Sequence, residues 1–278
     1  MPTRHFPVGR LTALAAVVVA IVLLARTGRA PRFYSLRPGI EFGVLPGDPY
    51  CHRGSSDIAV LRLDPARVRL SMEHCATQPD QAPLDILEWQ RRTGAAAVFN
   101  AGQYYPDYTY MGLFVSGGRV VSDRLHPGFK AALVAGPKGG GTAARVLDLE
   151  RHPIDPEALR WGEVAQSFML FDEKGRVRVR KSSQIANRTA VAQDRSGRLV
   201  VFTTEGSYTL WEFAGLLKSS PLSLTHAMSM DGGDEAVLCV RVGGFRYASF
   251  GRLEENGQVP NPRTTTVPLP AVVAVFPR

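Results

Sequence analysis

Turn-forming residues cut this chain into short apolar runs, and that punctuation limits the fold more than any other feature. Gly (27) and Pro (20) are plentiful among the 278 residues, which favours many turns and short strands over a helix bundle. Ile58–Leu63 and Val68–Met72 read as strands separated by Asp64-Pro65. Ala95–Phe99 is a small-residue apolar run of the kind buried in a sheet, and Met111–Val121 reads as a hairpin turning at Ser116-Gly117-Gly118. Val177–Arg180, Thr189–Val191, Leu199–Thr203, Ala236–Val242 and Pro268–Phe276 complete the predicted strands, with Arg195-Ser196-Gly197 as another turn. Two helical stretches stand out. One runs from Pro83 through Leu84, Leu87 and Trp89 to Gly94. The other starts at Thr209-Leu210-Trp211-Glu212, where Thr209 and Glu212 match a capping box ahead of the stripe Phe213, Leu216 and Leu217. The expected fold is α+β: a mixed or antiparallel sheet core with a few packed helices, preceded by one short N-terminal apolar helix.

That apolar helix is read at Leu11–Ala25, which follows Arg4 and Arg10. Basic residues ahead of such a run form an export signal, and the run is shorter than the ~20 residues of a comfortable membrane span. Residues 1–30 are therefore expected as a signal peptide or an uncleaved signal anchor. Residues 31–54 read as a linker and entry segment, and residues 55–278 as the globular domain. The domain is expected outside the cytoplasm, periplasmic or otherwise extracytoplasmic, with the membrane as a partner through residues 11–25.

The net charge of +8 does not imply nucleic acid. Four arginines lie in residues 1–30 without an acidic residue, which leaves +4 on the rest, and no dense basic tract with interleaved aromatics occurs there. Cys51, Cys75 and Cys239 are too sparse for a disulfide scaffold and lack zinc-site spacing. Cys51 and Cys75 pair in an oxidising compartment, or all three are buried thiols.

Four places carry groups suited to chemistry. Asn100-Ala101-Gly102-Gln103-Tyr104-Tyr105 ends a buried strand, so Asn100 is either a ligand-facing amide, with Tyr104 and Tyr105 against a sugar, or part of a turn. Arg188, followed by Thr189 and Ala190, is either a phosphate clamp or a surface ion-pair partner. Glu205-Gly206 after Thr203-Thr204 is a candidate carboxylate or an ordinary turn. Asp231-Gly232-Gly233-Asp234-Glu235 places three carboxylates in five residues, a costly cluster unless it serves a cation, a sugar or a proton transfer. The EF-hand spacing is absent.

Taken in order, Asn100-Ala101-Gly102, Gly112 with Gly117-Gly118, Arg188-Thr189-Ala190, Leu210-Trp211-Glu212, Asp231-Gly232-Gly233 and the closing Leu269–Val275 resemble the phosphodiester glycosidase family over residues 55–278. Gln103, Ala192 and Asp234-Glu235-Ala236 depart from the common pattern, and the last resembles a bacterial subgroup that retains Glu235 and Ala236. The resemblance implies hydrolysis of a sugar C1–O–phosphate bond in an envelope glycan or exopolysaccharide. It gives Asp231 the activating or stabilising carboxylate, shared with Glu235 or Glu205, and gives Arg188 the phosphate. Asn100, Gly102, Tyr104, Thr189, Gly232, Gly233 and Asp234 would contact the substrate, with Gly232 and Gly233 donating backbone N–H groups. No cofactor is required, no metal ligands are assigned, and a divalent cation stays open. The changed Asp234-Glu235 segment also fits a non-catalytic glycan-binding module on the same fold.

Overall fold

The computed structural model describes residues 31–251 and 267–278. The apolar segment at residues 11–25 lies outside them. In chain order the first strands are β1 (Tyr34–Arg37), β2 (Ile40–Pro46), β3 (Arg53–Leu63) and β4 (Val68–His74). Helix α1 (Ile86–Thr93) precedes β5 (Ala97–Asn100), β6 (Phe114–Ser116), β7 (Arg119–Ser122), β8 (Ala131–Pro137) and β9 (Ala144–Asp148). Then come β10 (Trp161–Ser167), β11 (Met169–Phe171), β12 (Ile185–Ala186), β13 (Arg188–Asp194) and β14 (Leu199–Thr209). Helix α2 (Leu210–Ser219) is followed by β15 (Leu224–Gly232), β16 (Leu238–Val242), β17 (Phe245–Ser249) and β18 (Ala271–Pro277).

These strands form three sheets. The large one has the order β1-β2-β3-β14-β13-β15-β11, with β12 added on β14; the others are β7-β6-β10-β8-β9 and β17-β16-β5-β18-β4. Every strand pairing is antiparallel, so the mixed alternative is not realised. The segment expected as a linker is corrected by β1 and β2. Ile40 is fully buried, and β2 pairs with β3 along its whole length, so this stretch belongs to the large sheet. Val177–Arg180 makes only an isolated bridge to Phe171 instead of a strand.

Period-two alternation explains the layers. Along β14, Val201 points into the main core while Val200 and Phe202 point to the opposite face. The main core also takes Leu61 and Met228 from the large sheet, Phe114 and Leu133 from the second, and Phe99 and Val273 from the third. One face of the large sheet thus packs on both smaller sheets, and its other face is covered by Phe213 and Leu217 of α2. Helix α1 covers the outer face of the third sheet with Ile86 and Trp89. Its ends follow its sequence: Asp85 caps Glu88 N–H, and Gly94 closes it at φ +65°. The three cysteines are free thiols.

The two smaller sheets are joined by a buried carboxylate. Glu163 at the start of β10 accepts from Met72 N–H of β4 at 2.8 Å and from Gly117 N–H at 3.1 Å. It covers an edge-strand donor that β18 cannot reach. Burial pushes its carboxyl up to about 7. We predict that Glu163→Ala lowers the unfolding free energy by about 1–3 kcal/mol in urea titrations, because buried N–H groups lose their acceptor.

Candidate active site

The site is built where β15 of the large sheet meets β5 of the third. Ala101 C=O accepts from Asp231 N–H at 3.0 Å. The buried Asn100 amide donates to Asp231 C=O at 3.0 Å and to Ala101 C=O at 3.1 Å, while its oxygen accepts from Val237 N–H at 3.2 Å. Both N–H groups of Asn100 are committed. In this geometry Asn100 ties down the backbone around Asp231. Gly102 also serves geometry, because a Cβ there would lie 2.5 Å from Tyr110 Oη.

A β-bulge aims Asp231. Between Arg188↔Gly232 and Ala190↔Ser229, β13 advances two residues and β15 three, so Thr189 faces both Met230 and Asp231. Bulges commonly re-aim a side chain in this way. Gly232 is paired with Arg188 and shares its face of the ribbon. Asp231, one residue earlier, therefore points to the other face, the one Thr189 presents. Thr189 and its cross-strand partner Thr203 are fully buried there, and neither hydroxyl has a hydrogen-bond partner.

The charge of Glu235 acts on the Asp231 carboxyl. Burial, reinforced by the charge of Glu235, pushes Asp231 up to about 7, against the opposing pull of Gly232 N–H and the Gln103 side chain. Gly232 N–H donates to Asp231 Oδ1 at 2.9 Å. Tyr104 Oη donates to Glu235 Oε1 at 3.1 Å, and burial together with that negative charge raises the tyrosine well above its ordinary value. The Tyr104 ring lies beside that of Tyr108, with centroids 6.1 Å apart. Gln103 bridges Ser167 Oγ, at 3.1 Å, and Met230 C=O, at 3.4 Å. A carboxyl that titrates near neutrality is suited to proton transfer.

Arg188, the double glycine and Glu205 each have partners within the protein. Arg188 donates through Nε and Nη2 to Tyr208 C=O at 3.0 and 2.9 Å, and through Nη2 to Gln184 C=O at 3.1 Å. Burial pushes its guanidinium down to about 10, still charged at neutral pH. It braces the end of β14 on the face opposite Asp231 and does not clamp what Asp231 touches. The backbone donors of the double glycine are taken as well: Gly232 N–H by Asp231 itself, and Gly233 N–H by Asn187 C=O at 2.9 Å. These glycines instead permit close approach. A Cβ on Gly232 would lie 2.9 Å from Asn187 C=O, and Gly233 sits at φ +76°. Glu205 accepts from Tyr247 Oη at 3.0 Å and makes no contact with the Asp231–Glu235 pair. Asp234 is exposed in the short turn between them. Gln103 was missed as a site residue, although it stands directly after the Asn100-Ala101-Gly102 motif.

Residues 93–276 match the sequence model of the phosphodiester glycosidase family. The chain belongs to that family. Among solved structures, the catalytic domain of zebrafish N-acetylglucosamine-1-phosphodiester alpha-N-acetylglucosaminidase, auto-inhibited by its pro-peptide, is similar. It superposes with a TM-score of 0.57 at 18% identity, over 90% of this chain and 87% of that one. A hypothetical protein from Synechocystis gives 0.57 at 14% identity, over 90% of this chain and 64% of that one. At such identities the likeness concerns the fold. No curated protein matches. Among the described residues, no group of three or more His, Cys, Asp or Glu side chains is placed to hold a metal ion.

Two outcomes test this geometry. Asp231 is raised in the folded state, so the stability tied to its proton is complete below about pH 4 and is lost as pH rises through about 7. Asp231→Asn should therefore melt higher than wild type at pH 8 and lose that advantage by pH 4. Arg188→Met should lower the unfolding free energy by about 1.5–3 kcal/mol, measured by urea titration, because charged hydrogen bonds to two carbonyls are removed.

Proposed function

We propose that the chain hydrolyses the C1–O–phosphate bond of a sugar-1-phosphodiester, with Asp231 as the proton-transferring carboxyl and Glu235 as the stabilising carboxylate. The observation that carries this reading is the Asp231 carboxyl, half-buried and pushed up to about 7 by desolvation and the nearby Glu235 charge, within a member of the phosphodiester glycosidase family. The zebrafish relative's name describes such a bond, and the shared fold supports carrying the reaction class to this chain.

The chemistry suits the pair. A departing phosphate monoester is already acidic, with a second pKa of about 6, so it needs little protonation. The greater need is to bring an anionic diester beside carboxylates. A protonated Asp231 removes one of the two charges that would repel it, and its proton can hydrogen-bond a phosphate oxygen. Once the C1–O bond lengthens, Glu235, held by Tyr104, stabilises the oxocarbenium-like sugar. Asp231, having given up its proton, can accept one from the attacking water. An envelope or exopolysaccharide substrate fits the export signal read in residues 1–30, which would place the domain outside the cytoplasm.

The test is turnover of a chromogenic panel of sugar-1-phosphodiesters by the full chain in detergent. Asp231→Asn and Glu235→Gln should each lower kcat by about a hundredfold or more, and wild-type kcat should fall on either side of an optimum near neutrality. A folded wild-type protein that turns over none of the panel, yet binds the glycans equally well with or without Asp231, would establish the binding-module reading instead.

A further inference from the structure

We infer that a second site, at the opposite end of β13 and β15 from Asp231, binds an acidic saccharide chain. The cleft has a volume of about 1330 Å³ and is walled by the β8–β9 hairpin, residues 151–160, the start of β10 and the β13–β14 turn. Lys138, Arg145, Arg160 and Arg195 line it, together with Trp161. The four cations are exposed, and none forms an ion pair among the described residues.

The carboxylates nearby do not balance them. Glu173 is bound to Arg151. Asp194 is buried and holds Ser196 N–H, Arg198 N–H and the Arg198 guanidinium. Asp155 Oδ1 accepts Glu157 N–H within its own loop. The histidine in the floor is committed as well, with His226 Nε2 on Val146 C=O at 2.8 Å and Nδ1 on the Thr225 hydroxyl at 2.9 Å. Four cations without an ion pair therefore face one carboxylate in the same state, Asp155, which leaves the concavity net positive and focuses its field on an anion. Arginine forks suit sulfate, phosphate or carboxylate oxygens. Trp161 is half-buried, with Arg145 over its ring at 5.4 Å, and adds a flat apolar wall suited to a saccharide ring.

The strand length gives the cleft a consequence for the substrate. Asp231 lies five positions beyond His226 along β15, a span of roughly 17 Å at strand rise. One sugar cannot reach both places. The cleft therefore serves a polymer, and its link to catalysis, as a hold on a repeating acidic substrate, rests on the glycosidase reading above.

The experiment titrates the full chain in detergent with dextran sulfate, neutral dextran of equal length and duplex DNA, at physiological salt. The variants are Arg145→Glu/Arg195→Glu and Trp161→Ala. Dextran sulfate should bind wild type and weaken about tenfold or more in the double variant, while neutral dextran does not bind. Trp161→Ala should weaken dextran sulfate by about threefold and leave any DNA binding unchanged. Equal dextran sulfate affinity in wild type and the double variant would overturn the site. So would tighter binding of DNA than of dextran sulfate, or an equal loss of both in Trp161→Ala, since either marks a general polyanion surface. Turnover of a small sugar-1-phosphodiester, measured alongside, should be the same in wild type and both variants. If wild type shows no turnover but the dextran sulfate pattern holds, the glycosidase reading fails and the cleft stands.

Discussion

Two short hydrogen-bonded contacts hold the end of β15 against the end of β5: Asp231 N–H to Ala101 C=O, and the Asn100 amide to Asp231 C=O. Everything at the site hangs on this joint, because β15 belongs to the large sheet and β5 to a small one. The main core between those sheets is apolar and carries no directional preference of its own. The Asn100 amide supplies the direction, fixing where a carboxylate can emerge at the rim of that core. Glu163 does the same for the other pair of sheets, so two buried polar side chains set how three layers meet.

The joint also explains the electrostatics. Asp231 is half-buried at the rim of the core, and Glu235 follows four residues later, its carboxylate accepting from Tyr104. Neither has a cationic partner among the described residues, so one carboxyl keeps its proton near neutrality. The buried cation that might have relieved them, Arg188, is turned away by strand alternation and carries carbonyls instead. Positive charge is concentrated at the other end of the same strands.

Much of the fold was legible because local rules govern it. The Gly117-Gly118 turn, the Gly94 cap and the Thr209 cap each appear where their residues require them. At the capping box of α2, Glu212 bonds the Thr209 backbone and also takes the Thr209 hydroxyl and His52. Strands β1 and β2 were read as linker because Gly, Pro and Arg mask their alternation, and only pairing with β3 makes them strands. Asp64-Pro65 marks a real turn, yet β3 and β4 enter different sheets, a choice that depends on partners distant in sequence.

The sequence by itself determined which residue types gather at the site. Asn100 and Asp231 stand in motifs that survive any reading of the fold, and three carboxylates within five residues announce a perturbed environment. Only the tertiary structure decided what each of them does. The bulge opposite Thr189 sends Asp231 to one face and leaves Arg188 on the other. The approach of β5 commits Asn100 to backbone, and the neighbouring carbonyl of Asn187 claims the Gly233 donor. The physical reason is that a side chain's role depends on its face and on which of its hydrogen-bonding groups remain free. Both are set by strands that meet across more than a hundred residues of chain.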